Sequence, residues 1–222
     1  MRKITSILVA TLLSSLLCGS ALAAGPKKLT KCRAITESGS YAVTKDLQAT
    51  AKTNGNCILI EADFVTLDLN GFALRGDGTG YGVSDNGTAR QAVVVRNGMI
   101  TGFLYGIDLG VSTDCTIEKV TAIDNGQAIE VGERSLVAGN IASAGNYGIE
   151  AGASSTVTGN IAHDNANYGV IARLGSTVSG NSTTAGSGSG MFLDCPCKVI
   201  GNTYDGLAYT GTGCQFLDNL DL

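Results

Sequence analysis

The chain of 222 residues has no tryptophan, two prolines and a single histidine, with only 5% aromatic and 15% charged residues. With no Trp and few Phe, the interior that suits it is a narrow one of Val, Ile, Leu and Ala. Two prolines against 31 glycines argue against polyproline segments and for bends with positive φ. The lone His163 has no Cys or His partner at ligand spacing, which excludes a histidine-built metal site and makes it a surface residue. An apolar run long enough to span a bilayer is missing too. The stretch from Ile4 to Leu17 is short and carries Ser and Thr. With Met1-Arg2-Lys3 before it and Ala21-Leu22-Ala23 after it, that stretch reads as a secretory signal peptide over residues 1–24. No membrane span is expected after its cleavage.

Other absences narrow the chemistry. Gly76-Asp-Gly-Thr-Gly80 lacks a following helix and a Lys, so it is no phosphate loop, and no nucleophile elbow occurs. From residue 25 onward thirteen basic residues face nineteen acidic ones, a net charge of −6 that makes nucleic acid an improbable partner. Six cysteines remain there, and in an exported protein an even count favours disulfides over metal thiolates. Cys195-Pro-Cys197 has one residue between its thiols, unlike the redox Cys-x-x-Cys, which favours a structural bridge. An apolar share of 44% excludes disorder.

What is present is a repeat. Val137-Ala-Gly-Asn140 with Asn146-Tyr147-Gly148-Ile149 returns as Val157-Thr-Gly-Asn160 with Asn167-Tyr168-Gly169-Val170, and a third copy opens at Val178-Ser-Gly-Asn181. The period, near 20 residues, is that of one solenoid turn with short strands broken by Gly, Asn and Ser. The expected fold is all-β, a single-stranded parallel β-helix with caps. A first inward column runs Ile58, Val83, Ile107, Ile129, Ile149, Val170 and Met191; a second runs Leu67, Val94, Ile117, Val137, Val157, Val178 and Val199. Both columns give seven coils. A third, Asn70, Asn97, Asn140, Asn160, Asn181 and Asn202, broken at Val120, predicts an asparagine ladder at one bend. The boundaries that follow are an N-terminal cap at 25–56, a β-helix at 57–205 and a C-terminal cap at 206–222. Cys32–Cys57 would tether one cap, and Cys214 bonded to Cys195 or Cys197 the other. Cys115 and Cys197 hold the same coil position four coils apart, too far to bridge.

The run Ile60-Glu-Ala-Asp-Phe-Val-Thr-Leu-Asp-Leu-Asn-Gly71, followed by Asn-x-x-x-Gly-Ile coils, resembles the right-handed β-helix proteins of the pectate-lyase-like superfamily. It is most similar to their generic repeat branch, which includes alginate-epimerase-like proteins and the periplasmic nitrous-oxide-reductase maturation factor. The resemblance implies a right-handed helix with ligands along the first-strand sheet. It implies no one activity, since the superfamily holds lyases, hydrolases, epimerases and adhesins. The acidic calcium site and surrounding motif of pectate lyases do not transfer, leaving Arg173 as a candidate for their arginine. The Gly-His-Gly of polygalacturonases and the Asp-Pro-His of the epimerases are missing.

A strand alternates, so the residue after each first-column anchor points outward. That places Asp108, Glu130 and Glu150 in a column of carboxylates, with Tyr81, Tyr105, Gln127, Tyr147 and Tyr168 beside it. Neighbouring carboxylates at that spacing match the pairs of glycosidases, and their repulsion would raise one pKa. The catalytic candidates are therefore Asp108, Glu130 and Glu150, and the substrate-binding candidates Tyr105, Tyr147, Tyr168 and Arg173. No cofactor is required, although the same oxygens suit Ca²⁺. The function expected is a secreted, polysaccharide- or cell-envelope-associated one, with binding or processing of glycan on this face, by a lyase, hydrolase or epimerase if an enzyme. The alternative is a structural or adhesive solenoid whose charges only keep the face soluble.

Overall fold

The computed structural model describes residues 25–222, so the signal-peptide reading of 1–24 lies outside the described residues. The chain winds as a right-handed parallel β-helix of about nine turns. Nine strands stack in parallel as the first sheet, from Arg33–Ile35 to Leu207–Thr210. The other two strands of each turn form one 17-stranded sheet, because Val94–Thr101 and Thr116–Ile123 run unbroken round the bend between them.

The seven anchors of the first column pair in the predicted register, Ile107 between Val83 and Ile129, and Ile149 between Ile129 and Val170. Two further strands lie in stretches expected to be caps. A turn needs only its backbone edge and one inward apolar side chain, and Ile35, only 1% exposed, supplies this without the Asn-Gly phrase that marks the central coils.

The second column needs a correction. Val95, not Val94, stands between Leu67 and Ile117, and Val95 is fully buried while Val94 is only partly so. The one-residue slip carries to the asparagines. Asn97 (φ 59°) holds the left-handed position of Lys119, Gly139, Gly159, Gly180 and Gly201, one residue before the ladder, whereas Asn70 (φ 52°) is an extra residue in its bend, beyond Leu69, and its Nδ2 donates to Val43 O instead of to an asparagine. The ladder itself is Asn140, Asn160, Asn181 and Asn202, and it continues to Asn219. Each Nδ2 donates to the Oδ1 of the next asparagine at 2.9–3.0 Å and to a backbone carbonyl of the coil before. Each Oδ1 also accepts the backbone N–H of the preceding ladder residue, so every polar atom of these buried amides is used. Val120 N–H donates to Asn140 Oδ1, and the ladder stops there.

A second buried column, not evident in the sequence, lies at the bend after the first strand. Ser135, Ser155 and Ser176 accept backbone N–H groups coil to coil, and Cys115 and Cys197 occupy its two ends. Both thiols are buried and free, and burial pushes that of Cys115 up to about 11. The disulfides are Cys32–Cys57 and Cys195–Cys214, with Cα atoms 4.3 and 5.0 Å apart.

Candidate functional site

The first sheet brings the expected residues together. Asp108 pairs with Glu130 and Glu130 with Glu150, each following a buried anchor that holds the strand against the core. Strand spacing in a parallel sheet separates successive members by ~4.8 Å. On one side the column ends at Ser84, which is buried with its neighbour Asp85 under the base of the loop that follows. Asp85 was not singled out by the sequence; its carboxylate accepts Ser112 Oγ at 2.6 Å and Gly87 N–H at 2.9 Å. On the other side the column ends at Ile171, only 5% exposed.

Parallel to the acids runs the aromatic row. Tyr81 stacks on Tyr105 with ring centroids 5.3 Å apart, and Tyr147 on Tyr168 at 6.3 Å, with Phe192 packed on Tyr168 at 5.3 Å. Gln127 takes the row's place between Tyr105 and Tyr147. Because its side chain is not a ring, a cleft of about 110 Å³ opens there, lined by Leu104, Tyr105, Gly126, Gln127, Asn146 and Tyr147. Gln127 Nε2 donates across to Glu150 Oε2 at 3.4 Å.

The three acids differ in their partners. Glu150 is paired with Arg173, which reaches on to Asp194 at 3.0 Å, so the candidate arginine clamps two acids two coils apart. Asp194 also accepts Thr210 Oγ1, which with Arg173 holds its carboxyl below the usual range. Asp108 accepts Gly110 N–H at 3.3 Å; burial and the charge of Asp85 still raise it above an ordinary aspartate. Glu130 makes no hydrogen bond or ion pair among the described residues. Burial, then the negative charges of Glu150, Asp108 and Asp85, push it up to about 7, with Arg173 only partly offsetting them. A Cβ on Gly110 would lie 2.6 Å from Glu130 Oε1, so that carboxylate rests on bare backbone. Glu130 can therefore donate or accept a proton near neutrality, beside two further carboxylates and a ring-lined cleft.

Asn86 to Ala89 are exposed at the tip of the insertion that follows Ser84 and Asp85. His163 lies on another sheet, its Nδ1 2.8 Å from Asp164. The sequence reading missed Asp85 and Asp194, which lie two residues beyond Val83 and three beyond Met191, with no common step to mark them.

The profile of the family described as periplasmic copper-binding protein (NosD) matches residues 50–218. No curated protein matches the chain. Among solved structures, DFA-IIIase from Arthrobacter chlorophenolicus A6 in complex with GF2 is similar at a TM-score of 0.40 and 12% identity, over 82% of this chain and 61% of that one. The chain thus spans under two thirds of that protein's length.

Proposed function

The chain belongs to the periplasmic copper-binding protein (NosD) family, and on that premise we propose that it is an exported β-helix protein that binds glycan along its first sheet. Among the described residues no helix is long and apolar enough to cross a membrane. The observation that carries the proposal is the paired order of the face, a row of tyrosines with a cleft at Gln127 beside Asp108, Glu130 and Glu150. Tyr105 and Tyr147, each stacked on one side by another tyrosine, line the cleft and offer apolar ring surface there to the C–H groups of a sugar, while the neighbouring carboxylates accept its hydroxyl donors.

The family's name raises copper, which is held by His, Cys and Met. Here the donors do not fit it. His163 is solitary, Met191 is fully buried, Met99 is exposed but stands between Ala73 and Thr121, and the two free thiols of the described residues stand at opposite ends of the serine column. Among the described residues no three His, Cys, Asp or Glu side chains gather in a group able to hold a metal ion. No step of this proposal runs through a metal.

The raised Glu130 favours a second reading, in which it acts as a general acid beside a neighbouring carboxylate and the protein cleaves or isomerises glycan. A glycan and polysaccharide array with the chain from Gly25 onward decides whether the face is a binding site. Binding that Tyr147→Ala abolishes supports it, and no binding across the array refutes it. Reducing or unsaturated ends released from a bound glycan by the parent and not by Glu130→Gln establish the catalytic reading.

A further inference from the structure

The two ends of the solenoid are built differently. At one, the edge strands Lys27–Leu29, Arg33–Ile35 and Leu47–Gln48 each pair on one side only among the described residues. Their inward residues Leu29, Ile35 and Leu47 are nonetheless at most 2% exposed. Lys27, Lys28, Lys31 and Arg33 surround that edge, and residues 25–53 hold six basic side chains against two acidic ones. At the other end, Leu207–Thr210, Gln215–Leu217 and Leu220–Asp221 likewise pair on one side only. Here the apolar residues are uncovered. Phe216 and Tyr209, which continue the inward positions of Val199 and Leu193, are 39% and 57% exposed, and Leu220 is 57% exposed. Residues 203–222 hold three aspartates and no basic residue.

We propose that the 207–222 end docks onto the 27–48 end of a second copy, head to tail, so that the β-helix continues from one molecule into the next. Three observations choose this partner. The same three strand columns reach both ends, so a copy shifted along the axis meets each edge strand with one running the same way, the pairing used throughout the molecule. The charges of the two ends are opposite, whereas a two-fold pairing of like ends would set Asp218 and Asp221 against themselves and reverse the strands. The asparagine ladder stops at Asn219, whose backbone N–H holds the place that in each earlier coil donates to the next asparagine. Such an interface is heterologous and does not close, so it grows into rods.

Sedimentation velocity of the chain from Gly25, over a range of concentrations, tests this. The expected result is mass that rises by single chains with concentration and falls when salt screens the charges. Leu217→Lys with Leu220→Lys, both exposed and so harmless to the fold, should weaken association at least tenfold. Asp218→Lys with Asp221→Lys should do the same, and adding Lys28→Glu with Arg33→Glu to that chain should restore it. A parent that stays monomeric throughout overturns the proposal. So does growth that halts at a dimer, or a dimer strengthened by Asp218→Asn with Asp221→Asn, which would mark the like-end pairing.

Discussion

Two stacks of like polar groups share the coil spacing of this molecule, amides from Asn140 to Asn219 and carboxylates from Asp108 to Glu150, and they behave in opposite ways. In the asparagine ladder each amide is both donor and acceptor, so Asn160 satisfies Asn140 and is itself satisfied by Asn181 with nothing left over. In the column Asp108, Glu130, Glu150 each group is only an acceptor when charged, so neighbours repel and cannot satisfy one another. The chain relieves the far end with Arg173 and leaves Glu130 without a hydrogen bond or ion pair among the described residues. A stack whose members satisfy one another stabilises the fold; a stack whose members repel does not, and in the function proposed above its oxygens serve a ligand.

The comparison breaks first at the ladder. Asn160→Ala removes the acceptor for the Asn140 N–H and Nδ2 and strands buried donors, so it should cost about 3 kcal/mol in urea unfolding. An unchanged midpoint would mean the amides contribute no structure. Arg173→Met, on a partly exposed ion pair, should cost about 1 kcal/mol, a loss that shrinks in high salt. Glu130→Gln should act the other way and raise stability above neutral pH by about 0.5 kcal/mol, by removing one of three like charges.

That last effect has a pH signature. The folded pKa of Glu130, about 7, is above its ordinary 4.5, so between these values the native state holds the proton more firmly than the unfolded chain. Stability should therefore fall as pH rises from 4.5 to 7 and level off beyond, and Glu130→Gln should lack this component of the slope. Urea midpoints at stepped pH for the two chains check the sign.

How far the sequence reveals this depends on how sharply each feature is punctuated. The first column was legible because its central anchors are followed by residues of contrasting polarity, Ile107-Asp108, Ile129-Glu130 and Ile149-Glu150, so alternation fixes its face. The slip at Val94 arises in Val93-Val94-Val95, where three identical residues carry no alternation and either neighbour fits the core. The outer turns were illegible because edge coils need no Asn-Gly bend like that of the central phrase. The serine column went unseen because Ser is frequent in every loop of this chain and its ends change to Cys115 and Cys197. In the candidate site, the acids and tyrosines followed from alternation alone. The clamp of Arg173 on Glu150 and Asp194 did not, since it depends on where a long side chain turns across coils.

The central claim is that the open stack on the first sheet receives a glycan. The direct measurement is amide chemical-shift mapping of the labelled chain with a saccharide that the array identifies. Shifts should concentrate on Tyr105, Gln127, Glu130, Tyr147 and Tyr168 and be lost in Tyr147→Ala, while Asn140, Asn160 and Asn181 stay unmoved. Shifts confined to another sheet, or a Tyr147→Ala chain that responds like the parent, would contradict it.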